Sequence, residues 1–380
     1  MWITETVELP DELIDAARKD ELVLFVGAGA SIDPPASLPS YKELVTELAR
    51  EQLPDEEAVQ QLLDGSSLDD VLGKLPDREN AHSRALRLMQ PNESHCNETH
   101  KAIMRLAKAV GTPRIVTTNY DMLLEEAGKN LEIDFGRVYA GPALPLGSSF
   151  DGIVHVHGNL QSRPDEIILD NHDYAKAYLQ DSWAARFITE MFRHYSVLFI
   201  GYGMTDPIMK YLTLGGISQN HPHFVLIGEK IAQGDSNVDD NGWIERGITP
   251  IQFPLHEDPE PRFKELPIVL NRFAKSLSDD YIEIKERIQR IIDSGNVPSS
   301  LDDSDFMTMA LRTEDGAKCF MNFFARFDND EASRWLSWML NNSKLSHLFT
   351  DSQEPSEGES FLGRRILDYT TMEKHQSVLC

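Results

Sequence analysis

The sequence predicts a doubly wound α/β fold: a mainly parallel, Rossmann-like sheet with helices on both faces, followed by a small helical C-terminal region. Three observations carry this. Short continuous apolar runs recur over the first 255 residues, as buried parallel strands do. Stretches of helical length and periodicity separate most of them. The first run ends directly on a glycine-rich turn, Gly27-Ala28-Gly29-Ala30-Ser31.

Taken in order, residues 10–20 (PDELIDAARKD) predict a short helix with Pro10 near its first turn. Leu22–Val26 is the first strand, and 41–52 (YKELVTELAREQ) a helix. Residues 55–90 form an acidic helical insertion. A helix over 99–110 precedes a strand at Arg114–Thr118, and another strand follows at Ile153–Val156. Residues 161–182 read as a short hairpin or loop and then a helix. A helix over 183–194 leads to strands at Val197–Ile200, Phe224–Ile227 and Ile248–Phe253. One or two amphipathic helices over 263–293 close a domain spanning 1–293. The polar stretch 294–305 is a linker. Residues 306–349 carry Phe320, Phe323, Phe324, Phe327, Trp335, Trp338 and Met339 at helical spacing. Such a stripe is core or interface rather than a cofactor box. A polar tail runs to residue 380.

Composition bounds the function. At 380 residues and 41% hydrophobic, the chain can fill a large core. Against 62 acidic residues stand 36 basic ones, a formal net charge of -26. Such a surface repels polyphosphate backbones, so direct nucleic-acid binding is not expected. A dinucleotide is still allowed, because backbone amides and a helix N-terminus can hold its pyrophosphate. The three cysteines, Cys96, Cys319 and Cys380, are odd in number and far apart. That fits a reducing compartment without a disulfide framework. No apolar signal core opens the chain, and no stretch approaches the roughly 20 apolar residues of a membrane span. The expected location is the cytoplasm, away from membranes.

Four motifs sit at predicted strand ends, where open α/β sheets bind ligands. The glycine turn at 27–31 suits close approach of a pyrophosphate to backbone N–H groups. Ile32 stands where a dehydrogenase fingerprint wants its third glycine, and no acidic residue ends a second strand about twenty residues on. Hydride transfer is therefore disfavoured. Taken alone, the turn is equally well explained as a tight bend without ligand. The other three motifs are Thr117-Thr118-Asn119-Tyr120-Asp121, His155-Val156-His157-Gly158-Asn159-Leu160, and Phe199-Ile200-Gly201-Tyr202-Gly203-Met204-Thr205-Asp206-Pro207.

This ordered set resembles the sirtuin (silent information regulator) superfamily. Gly27–Ser31, Thr117 with Asn119 and Asp121, His157-Gly158, and Gly201–Asp206 match its pattern in order. Leu38-Pro39-Ser40-Tyr41 is similar to the family's Gly-Ile-Pro-x-aromatic stretch, with Ser37 in place of glycine. The resemblance covers residues 10–255. Protein-deacetylating sirtuins carry two Cys-x-x-Cys pairs after His-Gly. Here only Cys319 and Cys380 follow His157, so a four-thiolate zinc site within one chain is impossible and no zinc is expected. The segment Asp170-Asn171-His172-Asp173-Tyr174 is instead similar to the zinc-free sirtuin-like NADase domains of bacterial anti-phage defence proteins.

That resemblance implies an NAD glycohydrolase with NAD as its substrate, yielding nicotinamide and ADP-ribose in abortive infection. The alternatives are an NAD-dependent protein deacylase lacking the zinc module, and a non-catalytic NAD- or ADP-ribose-binding assembly subunit. An NADase poisons its own cell, so control by homo-oligomerisation or by a partner is implied. In length and architecture the chain resembles sirtuin-like subunits encoded with a HerA-like hexameric ATPase.

The site residues follow. The amide of Asn119 offers donor and acceptor together, suited to holding a water or the ribose hydroxyls. The bland reading is a strand-end turn. His157 is the candidate general base, with an unperturbed pKa suited to neutrality. His155 shares its face by period-two alternation but lies one step back, so it is structural or supporting. For the cofactor side the resemblance implies Gly27, Ala28, Gly29, Ser31 and, more weakly, Asp33 around phosphate. It adds Thr118 and Asp121, and Gly201, Gly203 and Asp206 near the adenosine. Asp121 serves equally as a helix N-cap, and Asp206 before Pro207 is mainly one. His95, Cys96 and His100 lack a fourth ligand, so no metal site is expected.

Overall fold

The computed structural model describes residues 3–342 and 345, except 5, 91–94, 204–220, 231–241 and 257–259. The chain divides into two compact units, residues 11–274, and residues 1–10 together with 275–380.

In the first unit seven strands form one sheet: β1 (Leu22–Val26), β2 (Arg114–Thr117), β3 (Val138–Ala140), β4 (Gly152–His155), β5 (Ser196–Ile200), β6 (His223–Lys230) and β7 (Ile248–Leu255). Their order is β3-β4-β2-β1-β5-β6-β7, and every neighbouring pair is parallel. Phe25 on β1 registers with Val116 on one side and Phe199 on the other. Every residue of β1 and β5 is buried, which is why both read as unbroken apolar runs. From β1 the sheet grows both ways. The carboxyl ends of β1 and β5 therefore mark a topological switch point, where parallel sheets leave a crevice.

Helices cover the sheet: α1 (Asp11–Arg18), α2 (Tyr41–Gln52), α6 (Glu98–Val110), α7 (Leu123–Asn130), α9 (Trp183–His194) and α10 (Glu265–Ser276). A capping box starts α2: Ser40 Oγ accepts from the Glu43 N–H at 3.3 Å, and Glu43 Oε2 accepts from the Ser40 N–H at 2.7 Å. The amphipathic α9 lays Phe187, Ile188, Met191 and Phe192 beside Phe25 and Phe199. Each such side chain stabilises by roughly 1.5–3 kcal/mol relative to exposure. The acidic insertion folds as α3 (Glu56–Asp64), α4 (Leu68–Gly73) and α5 (Arg78–Leu88). No hairpin forms over 161–182. The Ile168 N–H donates to the His157 carbonyl at 3.0 Å, so the apolar residues 167–169 pack against the strand end. They lead into α8 (Asn171–Tyr174) and a π-helical turn, Ala175–Gln180.

Asp20, in the left-handed region at φ 58°, ties β1 to β2. Its carboxylate accepts from the Thr112 N–H at 2.9 Å, the Thr112 hydroxyl at 2.7 Å and Arg114 at 3.1 Å. Burial raises its pKa, but the Arg114 and Thr112 bonds outweigh this and hold it below 3.8. The stabilisation is complete above 3.8 and is lost as the pH falls through the lower folded value. Its side chain is 40% exposed, so Asp20→Asn should cost under about 1 kcal/mol at pH 7. Melting curves of both proteins at pH 7 and pH 3 check this. A gap of equal size at both would mean that charge is not the cause.

In the second unit α11 (Asp279–Asp293), α12 (Leu301–Leu311), α13 (Glu314–Phe324) and α14 (Asn329–Asn341) enclose an aromatic core. Phe320, Phe324 and Trp335 are buried, and the Phe320 and Trp335 ring centroids lie 5.1 Å apart. The aromatic stripe is thus core. Helix α12 begins inside the polar stretch 294–305, where Ser300 Oγ caps it by accepting from the Asp303 N–H at 3.0 Å. The buried Lys318 ammonium donates to the Ile3 carbonyl at 2.7 Å. The tail beyond residue 345 lies outside the described residues. Among those residues no helix is long and apolar enough to cross a membrane.

Candidate active site

The loops after β1 and β5 interlock at the switch point. The Gly29 N–H donates to the Gly201 carbonyl at 2.8 Å, and the Gly27 N–H to the Ile200 carbonyl at 2.9 Å. A Cβ on Gly27 would stand 2.7 Å from Gly201 O, and one on Gly29 2.8 Å from Gly201 Cα. Gly201 itself has φ 61°. Backbone meeting backbone is therefore what first demands glycine here, and the contact engages the Gly29 N–H.

A cavity of about 530 Å³ opens above these loops, within the roughly 300–1,000 Å³ range of ligand sites. Ala28, Gly29, Thr118, Asn119, His157, Gly201 and Gly203 all line it, so all four motifs converge. Pro39, Ser40 and Tyr41 add a wall. Leu226, Trp243, Phe253 and Phe263 make an apolar end, and Lys42 and Arg262 are its cations. Asp206 lies outside the described residues.

Asn119 is pinned at its backbone and at one end of its amide. Its N–H donates to Thr117 Oγ1 at 3.0 Å, and its Nδ2 donates to the Gly27 carbonyl at 3.2 Å. Among the described residues its Oδ1 accepts no hydrogen bond, and the side chain lines the cavity. His157 sits across the cavity with Nε2 2.9 Å from the Tyr178 hydroxyl and its ring edge-on to Tyr174. The pKa expected near neutrality is corrected here. Burial pushes the imidazole down to about 3, because the enclosed ring loses the water that would stabilise its charged form. His157 is neutral at physiological pH, so it holds a proton partner by hydrogen bonding and does not carry charge at rest.

Burial has a consequence for stability. Below pH 6.5 the unfolded chain protonates this histidine and the folded chain does not, so stability falls as the pH drops from 6.5 toward 3. Burial lowers His100 and His223 in the same sense. His157→Phe should make the melting temperature less sensitive to acid between pH 7 and pH 5. An unchanged slope would contradict the neutral assignment.

The remaining expected residues form the scaffold beneath. His100 Nδ1 accepts from the Asn97 N–H at 3.2 Å, so its Nε2 carries hydrogen and donates to Ser31 Oγ at 3.1 Å. Ser31 in turn donates to Asp121 Oδ2 at 3.0 Å. Asp121 Oδ1 accepts from the Leu123 N–H, at the start of α7, at 3.1 Å. Both Ser31 and Asp121 are thus engaged internally and neither lines the cavity; the expected Ser31–phosphate contact is replaced by this chain. Gly27 is buried under the loop. Asp33 accepts from the Phe263 N–H at 2.8 Å, which brings residues 262–263 to the cavity.

Sequence reasoning missed Tyr178, Trp243, Arg262 and Phe263. They come from segments distant in sequence and carry no local motif. The described residues hold one metal-type cluster, His82, Asp170 and Asp173. His82 Nε2 lies 2.7 Å from Asp173, and Arg78 pairs with Asp170, so a cation is already supplied. His95 pairs with Glu126 instead of joining Cys96 and His100.

Fold and site define a doubly wound α/β protein with a cavity at the switch point. The SIR2-like domain family matches residues 113–251, from the start of β2 into β7. What matches is thus a SIR2-like domain over part of the chain. It is 28% identical over 350 residues to the uncharacterized protein y4cA of Sinorhizobium fredii, covering 85% of this chain and 28% of that one. It is 24% identical over 214 residues to defense-associated sirtuin 2 of Bacillus subtilis, covering 54% of this chain and 20% of that protein. The chain therefore spans less than a third of either relative. A solved structure described as the structural basis for the mechanism and regulation of Sir2 enzymes aligns with 71% of this chain and 98% of its own, at 15% identity and TM-score 0.36.

Proposed function

We propose that this chain is an NAD glycohydrolase, with NAD as substrate and nicotinamide and ADP-ribose as products. The observation that carries this reading is Asn119 and His157 facing one cavity at the switch point. A SIR2-like domain points to NAD use, and the relative named defense-associated sirtuin 2 supports a role in anti-phage defence.

The bond from ribose C1′ to the pyridinium nitrogen breaks, and its electron pair neutralises the departing nicotinamide. Water then adds to the oxocarbenium-like carbon and passes its proton to bulk solvent. Asn119 Oδ1 holds the water or a ribose hydroxyl as acceptor. Neutral His157 orients the same group, and the Tyr178 hydroxyl fixes its ring. Leu226, Trp243 and Phe253 exclude bulk water from the apolar end. Lys42 and Arg262 offer positive charge to the phosphates in an otherwise acidic chain.

The proposal includes control in the cytoplasm by self-association or by a HerA-like ATPase. Purified protein incubated with NAD, with and without an acetyl-lysine peptide, tests it by chromatography. ADP-ribose and nicotinamide without peptide are expected. Acetyl-ADP-ribose formed only with peptide would overturn the hydrolase in favour of a deacylase.

A further inference from the structure

Behind Asn119 lie two ionisable side chains that the proposed chemistry does not touch. His155 ends β4 and Glu125 stands in the first turn of α7, and their side chains are 0% and 4% exposed. His155 Nε2 is 2.7 Å from Glu125 Oε1, and His155 Nδ1 is 2.9 Å from the Asn119 backbone carbonyl. A carboxylate and a carbonyl both accept, so the imidazole donates through both nitrogens. Burial opposes that charged form, yet the Glu125 carboxylate and the Asn119 carbonyl outweigh it and hold the His155 pKa above 6.5. His157, two residues on, meets the Tyr178 hydroxyl instead, and burial pushes its pKa down to about 3.

Stability does not account for this pair. Buried ion pairs are often matched or bettered by apolar residues of similar size. Glu125 Oε2 is buried without a hydrogen bond among the described residues, a cost to the fold rather than a gain. The contact that sets the pair apart is the one to Asn119. Thr117 Oγ1 holds the Asn119 N–H, and His155 holds its carbonyl. The peptide planes on both sides of that Cα are thereby fixed.

We propose that Glu125 and His155 form a buried positioning dyad that locks the Asn119 backbone and so keeps its side-chain oxygen presented to the cavity. The dyad's effect on turnover rests on the NAD hydrolase reading; its effect on backbone order does not.

Full-length variants test this by NAD kinetics, melting temperature and hydrogen–deuterium exchange of peptides covering 114–122. In His155→Asn the amide nitrogen replaces Nδ1 and keeps the bond to Asn119. In His155→Gln the nitrogen reaches toward Glu125 and that bond is lost. The Gln variant should lose roughly 10–100-fold in kcat with KM nearly unchanged, as supporting residues of this kind do, and the Asn variant should recover most of it. A Glu125→Leu, His155→Leu double variant should melt at or above the wild-type temperature yet lose kcat and exchange faster over 114–122. Unchanged exchange in both the Gln and double variants would overturn the dyad whatever the activity. So would full kcat in the double variant. Wild-type protein inert toward NAD would sink the hydrolase reading, and exchange would then decide the dyad alone.

Discussion

Asn119→Ala should reduce NAD turnover by roughly 10²–10⁴-fold, the range for removing one positioned polar group from a reacting centre. The fold should survive. The amide nitrogen donates to the Gly27 carbonyl at 3.2 Å and more weakly to Ser31 Oγ at 3.5 Å, a loss of about 0.5–1.5 kcal/mol for the stronger bond. For a unit of this size that is a drop of about 2–4 °C per kcal/mol. The comparison needed is initial rate against melting temperature on the same preparation. Turnover within a few-fold of wild type would show that Asn119 is a strand-end turn residue. A matching collapse of melting temperature would show that the side chain serves the fold first.

Gly201→Ala is expected to have the largest structural effect of any single methyl group in the site. The left-handed φ of 61° costs a non-glycine residue about 1–3 kcal/mol. The new Cβ would also stand 2.5 Å from the Ala30 nitrogen and 3.1 Å from Gly29 Cα. These are backbone atoms that no side-chain rotation can move, so overpacking adds about another 1–3 kcal/mol. Because the same contact shapes the cavity floor, binding should weaken along with folding. Calorimetry with ADP-ribose and chemical denaturation would measure both. Wild-type stability in this variant would mean that the two loops do not interlock as described.

The sheet was readable because parallel strands covered on both faces need apolar residues at every position, and Leu22–Val26 and Ser196–Ile200 supply them. Val138–Ala140 escaped notice: it is an edge strand of three residues, exposed or half-buried, and its composition is undistinguished. Asn119 and His157 were legible as candidates because each stands two residues past a strand end inside a motif. The parts played by Ser31, Asp121 and His100 were not, since their chain of hydrogen bonds joins segments up to ninety residues apart. Ser31 looked like a phosphate ligand only while its neighbours in space were unknown. The glycines were singled out for a ligand, whereas the steric reason for them lies in the backbone of Gly201, which no local pattern contains.

The position of β1 bears on how this protein is made. It is the sheet's central strand and the first to leave the ribosome. Its partners on the two sides, β2 and β5, emerge roughly 90 and 170 residues later. At synthesis rates of about 5–20 residues per second, the nascent strand waits roughly 10–35 s for β5. During that interval a fully apolar edge needs shielding, so chaperone dependence should centre on residues 22–26. A fragment trimmed to 113–251 omits that strand altogether and, with its sheet split at the middle, should aggregate rather than fold.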